Sequence, residues 1–295
     1  MCSPFLKWAG GKRQLIPIIE KMYPFDDSYT RYVEPFIGGG AVLFDILSNH
    51  NVKEIYISDI NEKLVNTYII IQKHCNLLIN ELTRLANEYT SQSVENKKKY
   101  FLARRENFND VRDVLSKSKK VRIEQAALMI FLNKTCFNGL YRVNSEGKFN
   151  VSFGEYKNPI ICDADNLRSV SNKLKGVNIF CCSYQNMKKY IDEHTFVFLD
   201  PPYRPLNKTA NFNSYSNTGF NDNDQIKLAE FAEYIDNVGG KFIVCNSDPH
   251  NVDVNDDFFD NLYANFTIHR VAATRMINSK ASKRGTINEL LITNI

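Results

Sequence analysis

Asp200-Pro201-Pro202-Tyr203 is the stretch whose residue types most plainly support chemistry. The Asp200 carboxylate and the Pro201 carbonyl are both acceptors, and an exocyclic amine on a flat ring offers two N–H donors to match them. The Tyr203 face can stack on that ring. Drawing both N–H bonds out of the ring plane favours sp³ character at nitrogen and frees its lone pair to attack an electrophile. The alternative is a capped strand end followed by a proline turn, which needs no ligand.

The element that presents these groups is Thr195–Leu199, a short apolar, aromatic and β-branched run that reads as a buried strand. Two prolines lack N–H donors and hold φ at about −65°, so the chain must leave the sheet as a stiff, extended turn. Asp200 therefore sits at a strand's C-terminal end, where open α/β sheets bind ligands.

Two further groups carry chemistry. Tyr32-Val33-Glu34-Pro35-Phe36-Ile37-Gly38-Gly39-Gly40, with a helical pattern over 41–47, reads as strand, glycine turn and helix. Such a turn brings helix N-terminal N–H groups near a polar ligand. The next predicted strand, 54–58, ends at Asp59, twenty residues after Gly39. An acidic residue there is placed to accept both hydroxyls of a ribose, and an N-cap role is compatible with that. Together they indicate a nucleoside-containing cofactor. Upstream, Lys7-Trp8-Ala9-Gly10-Gly11-Lys12 sets the only Trp beside two glycines and two lysines. It reads as a ligand contact or as a turn before a helix over 14–21.

The middle of the chain changes character. A helix over 64–85 is followed by Lys97, Lys98, Lys99, Arg104, Arg105, Arg112, Lys117, Lys119, Lys120 and Arg122. Such a run is often a solvated helix face, but between the second and third strands of an α/β domain it suggests an inserted basic subdomain with residues 123–132 as its core helix. Phe137, Asn138, Leu140 and Arg142 then combine groups that read purine edges with groups that wedge between bases. Residues 149–153 read as the returning strand of a hairpin; a merely structural polar hairpin fits the same residues. Strands are expected at 177–181 and 241–245, a helix at 222–235, and a closing strand pair at 266–271 and 289–295. Residues 204–221, with Phe212, Tyr215 and Phe220, form a candidate lid. Arg270, Arg275, Lys280, Lys283 and Arg284 suit phosphate contacts.

Composition narrows the classes. At 295 residues and 43% hydrophobic, the chain can fold as one large domain or as a domain with an insert. No run approaches the roughly 18 apolar residues of a membrane span, and residues 1–25 lack a signal-peptide core. Seven cysteines without a Cys-x-x-Cys suggest a reducing cytoplasm, buried thiols, and neither a disulfide framework nor a metal site. The absence of a Gly-x-x-x-x-Gly-Lys-Ser/Thr motif argues against a P-loop NTPase. A net charge of +4 is compatible with a polyanion partner.

Lys7-Trp8-Ala-Gly10-Gly11-Lys12, Pro35-Phe36-x-Gly38-x-Gly40, Asp59-Ile-Asn, Asn138-Gly-Leu-x-Arg142, Phe149-Asn-Val and Asp200-Pro-Pro-Tyr203 followed by Thr209-Ala-Asn-Phe212 occur in that order. The chain in this resembles the DNA adenine-N6 methyltransferases of the GATC-modifying kind, over almost its whole length. The resemblance implies a doubly wound, Rossmann-like methyltransferase sheet. A catalytic domain of residues 1–62 and 160–295 would carry an inserted, mainly helical recognition subdomain of residues 63–159. It further implies S-adenosyl-L-methionine as cofactor, held by Trp8, Gly11, Lys12, Pro35, Phe36, Gly38, Gly40, Asp59 and Asp200. Double-stranded DNA would meet Lys7, Phe137, Asn138, Leu140, Arg142, Tyr156, Phe212 and Arg275. Asp200, Pro201, Pro202 and Tyr203 would carry catalysis on a flipped adenine, in the cytoplasm, with a cognate restriction endonuclease acting on the same site. Ser152 stands where such enzymes often have proline, next to the reading hairpin. Adenine methylation of RNA, N4 methylation of cytosine, and a non-catalytic DNA-binding protein are the competing readings.

Overall fold

The computed structural model describes residues 2–26, 28–205, 220–274 and 286–295. Among these, seven strands form one sheet: β1 (Arg31–Glu34), β2 (Glu54–Asp59), β3 (Asn178–Cys181), β4 (Thr195–Leu199), β5 (Lys241–Ser247), β6 (Thr267–Thr274) and β7 (Thr286–Thr293). Their order is β3-β2-β1-β4-β5-β7-β6. β1 pairs in parallel with β2 and with β4, and β4 with β5. β7 runs antiparallel between β5 and β6. Strand succession reverses between β1 and β4, so their carboxyl ends flank the topological switch point. Pro35-Phe36 leaves β1 at that end and Asp200-Pro201 leaves β4 there.

β4 is buried throughout, as expected of a strand paired in parallel on both sides. Its Phe196 packs among Tyr23, Phe25 and Tyr32. The helices are α1 (Ile16–Ile19), α2 (Ala41–Asn49), α3 (Glu62–Thr90), α4 (Val94–Asp110), α5 (Lys119–Thr135), α6 (Ala164–Lys173), α7 (Asp222–Asn237) and α8 (Phe258–Leu262). Asn61 caps α3 by accepting from the Leu64 N–H, and Asn221 caps α7 in a reciprocal box with Asp224.

Two expected elements differ. The helix over 14–21 breaks into a 3-10 turn, a four-residue α1 containing Pro17, and another 3-10 turn, because proline withholds a donor where a longer helix would need it. The return strand over 149–153 is reduced to the isolated bridges Val143–Phe149 and Cys136–Phe153. Side chains take its ladder positions. Asn109 accepts from the Phe149 N–H and donates to the Phe149 carbonyl, and Arg105 donates to the Val151 carbonyl.

The chain divides into two compact units. One comprises Met1–Gly11, Gly38–Asn49 and Asp59–Cys182; the other comprises Lys12–Ile37, His50–Ser58 and Ser183–Ile295. In the first, α3 packs on α5 and α6, and Tyr89, Tyr100, Phe101, Phe131 and Phe153 form an aromatic core. In the second, β4, β5 and β7 supply apolar layers in which Leu290, Leu291 and Ile292 are fully buried.

Candidate active site

The turn after β4 is held by a buried amide relay. Gln225, on α7 and fully buried, donates to the Pro202 carbonyl at 3.2 Å and accepts from the Asn246 amide at 3.0 Å. Asn246 in turn accepts from the Arg204 N–H at 3.1 Å. The Pro202 carbonyl is thereby taken up, while the Pro201 carbonyl has no partner among the described residues. Asp200 and Pro201 thus offer two neighbouring acceptors, as an NH₂ group requires.

The Lys12 ammonium lies 2.8 Å from Asp200 Oδ1 and 4.7 Å from the Tyr203 ring centroid. Lys12 is 4% exposed. Burial alone would lower its pKa, but Asp200, Cys245 and Glu289 raise it instead, so it stays charged. Burial pushes the Asp200 carboxyl up to about 6, and Lys12 opposes that rise. Tyr203 donates its hydroxyl to Glu289 Oε2 at 2.7 Å, and burial beside Asp200 and Glu289 carries its pKa well above 10. Also after β1, Phe36 leans on Tyr184 at 5.4 Å and on Phe220 at 6.2 Å, a small aromatic wall.

The glycine turn and Asp59 form a second cluster, inside the other unit. Asp59 Oδ2 accepts from the Gly38 N–H at 3.3 Å and Oδ1 from the Asn61 N–H at 2.9 Å. The Ile60 N–H also donates to this carboxylate, which has about four acceptor sites in all. Burial pushes Asp59 up to about 6 despite these bonds. Gly38 and Gly40 have φ of +45° and +70°, values that favour glycine. A Cβ at Gly38 would lie 2.8 Å from Trp8 Nε1, and one at Gly39 2.8 Å from Trp8 Cβ. The glycines therefore first make room for the indole. Trp8 stacks on Tyr141 at 5.4 Å and 19°, and the Gly11 N–H donates to the Trp8 carbonyl. Tyr68 donates to the Gly38 carbonyl at 3.0 Å.

The expected DNA-reading residues gather in this same unit. Asn133, 2% exposed, clamps the Lys7 backbone through both N–H and carbonyl at 2.8 Å and also donates to the Gly139 carbonyl. Lys7 Nζ lies 5.1 Å over the Tyr156 ring. Phe137 is 52% exposed at a turn whose N–H is tied to the Ser152 carbonyl. Asn138 is left-handed, which an amide tolerates better than most side chains. Leu140 is half-buried, and Arg142 is braced by Asn150 Oδ1 at 2.8 Å. Phe212 and Arg275, with the Thr209-Ala-Asn stretch, lie outside the described residues.

Several residues had no sequence signal. Gln225, Asn246, Asn133 and Glu289 each act through at least one partner 21 to 126 positions away. Tyr68 and Tyr141 sat in recognised segments, but only packing reveals their contacts. Of the thiols expected to be buried, Cys136 and Cys245 are, while Cys181 is exposed.

Comparison with known proteins gives one consistent neighbourhood. The family described as D12 class N6 adenine-specific DNA methyltransferase matches residues 8–277. The chain is 46% identical to the Type II methyltransferase M.MjaIII of Methanocaldococcus jannaschii, over 99% of each chain. It is 36% identical to the Type II methyltransferase M1.LlaDCHI of Lactococcus lactis, covering 99% of this chain and 95% of that one. It is 32% identical to the DNA adenine methylase of Salmonella typhi, covering 97% and 93% respectively.

Proposed function

The chain belongs to the D12 class of N6 adenine-specific DNA methyltransferases, and from that premise we propose that Asp200 and Pro201 accept the two N6 hydrogens of an adenine stacked on Tyr203. The observation that carries this reading is the pair of acceptors at the end of β4, with the Pro202 carbonyl already engaged by Gln225 and the Tyr203 ring fixed through its hydroxyl. The chain is thus an enzyme acting on DNA. S-adenosyl-L-methionine as the methyl donor fits the donor set: a glycine turn, an aromatic stack, and a carboxylate.

When bound, that cofactor supplies an electrophilic methyl group on a sulfonium. Asp59 would accept from its ribose hydroxyls, and Trp8, Gly38 and Gly40 would line its pocket; Lys12 is the further residue that the family likeness assigns to the cofactor. An adenine inside a duplex is unreachable, so it is flipped out, at roughly a few kcal/mol of unstacking. Phe137 fills the gap, helped by an exposed ring on a backbone tied to Ser152. Lys7, Asn138, Leu140, Arg142 and Tyr156 contact the DNA and read its sequence. Asp200 and Pro201 O would draw the amine hydrogens aside and free the N6 lone pair to form the new N–C bond as the carbon–sulfur bond breaks, with the sulfonium leaving as a neutral thioether and the surplus N6 proton going to Asp200 or to water. The protein contributes position and electrostatics.

GATC is the site that the Asn138-Gly-Leu-x-Arg142 motif supports. The Type II names of two relatives support a restriction–modification role alongside an endonuclease of the same specificity. No helix among the described residues is long and apolar enough to cross a membrane, and action on cellular DNA points to the cytoplasm.

The test is methylation of unmethylated plasmid with labelled S-adenosyl-L-methionine, nucleoside analysis, and cutting by GATC endonucleases of different methyl sensitivity. N6-methyladenine and altered GATC cutting are expected. Label in N4-methylcytosine, or in RNA alone, would overturn the reading.

A further inference from the structure

We infer that Glu289 is a positioning residue for the reaction, one that fixes the Tyr203 ring on which the target base stacks; the inference rests on the stacking reading above. Glu289 lies on β7, opposite Ser247 of β5 and Val271 of β6. The residues that follow it, Leu290 to Ile292, are all fully buried. A carboxylate opening such a run is disfavoured unless a specific partner meets it. The partner is the Tyr203 hydroxyl at 2.7 Å. The proton stays on tyrosine, because burial and the neighbouring carboxylates hold the phenol un-ionised. The bond is therefore a neutral O–H donating to a carboxylate, which is among the stronger kinds.

The geometry restrains the face that matters. Pro201 and Pro202 limit the backbone before Tyr203, and Gln225 holds the Pro202 carbonyl. These contacts fix the Cα end of the side chain. The Glu289 bond pins the opposite end, at the phenol oxygen, so the ring cannot swing about χ1 away from its stacking position. Glu289 also belongs to the charge cluster of Lys12 and Asp200, where its negative charge helps hold Lys12 protonated. Without the anchor, the ring would have to be immobilised when the base arrives, and that entropy would be lost in the reactive complex.

The experiment is a double-mutant cycle on the full chain with S-adenosyl-L-methionine and a duplex carrying one target site, reading kcat and KM for DNA. A duplex with 2-aminopurine at the target position reports stacking by fluorescence. Removing the bond by Glu289→Leu should lower kcat by about tenfold, with KM within about twofold. Glu289→Gln, which keeps an acceptor, should recover most of it. Tyr203→Phe should show the same loss, and Glu289→Leu added to Tyr203→Phe should cost less than about twofold more. An equal further loss in the Tyr203→Phe background would overturn the inference. So would wild-type kcat in Tyr203→Phe, a result that decides even where Glu289→Leu fails to fold. Tyr203→Ala separates the two levels: unchanged kcat and 2-aminopurine signal there would sink the stacking reading itself, whatever Glu289 does.

Discussion

The Lys12 ammonium stands 2.8 Å from Asp200 Oδ1, with only 3% of the lysine side chain exposed. A cation and an anion share a site that burial makes costly for both. The ammonium makes the contacts proposed for the target amine: it reaches Asp200 and lies over Tyr203. Lys12 thus opposes the burial that raises the pKa of the carboxylate on which the proposed chemistry depends.

The first expectation is a pH effect. Asp200 sits at about 6, raised by burial and held back by Lys12. It works as an acceptor only when ionised, so kcat/KM should fall as pH drops through about 6. Lys12→Met removes the opposing charge, and the acidic limb should move to higher pH. A pH–rate profile of both proteins checks this; an unshifted limb in the variant counts against the coupling.

Asp59 gives a stability prediction of opposite sign to the usual carboxylate. Its folded value, about 6, lies above the ordinary aspartate value of 3.8. Ionised Asp59 therefore weakens the fold at neutral pH, and the penalty is relieved as pH falls through 6 and is gone near 4. Asp59→Asn lacks that term. Relative to this variant, the wild type should gain stability as pH falls from 7.5 to 5 in denaturant titrations without cofactor. A constant difference across that range would contradict the shift.

Much of this was legible because it is local. β4 and its exit show as a hydrophobic run stopped by two prolines, and the β1 turn and Asp59 follow from strand, glycine and spacing. The hairpin was less legible, because Asn109 and Arg105 replace its ladder from another helix. The helix over 14–21 failed at Pro17. Glu289 read only as the start of a strand, since Tyr203, its partner, is 86 positions away.

The Trp8–glycine packing predicts a structural cost. Gly38→Ala puts a Cβ 2.8 Å from Trp8 Nε1 at a φ of +45°. Both effects oppose folding, by about 1–3 kcal/mol together. Trp8 is the only tryptophan, so its intrinsic fluorescence should change along with the unfolding midpoint. Identical spectra and midpoints would show that the indole does not rest on this turn.

Phe137 separates stability from function. At 52% exposed, its truncation to alanine should alter unfolding free energy by no more than about 0.5 kcal/mol. The same variant should lose 2-aminopurine fluorescence enhancement at the target position and lower kcat/KM for DNA. Full enhancement in Phe137→Ala would remove this ring from base extrusion.

The most direct measurement is methyl transfer to a single-site duplex by Asp200→Ala, with DNA affinity measured in parallel. Loss of the paired acceptor should lower the single-turnover rate by at least about a hundredfold, while DNA binding remains close to wild type. Transfer at the wild-type rate by that variant would contradict the account at its centre.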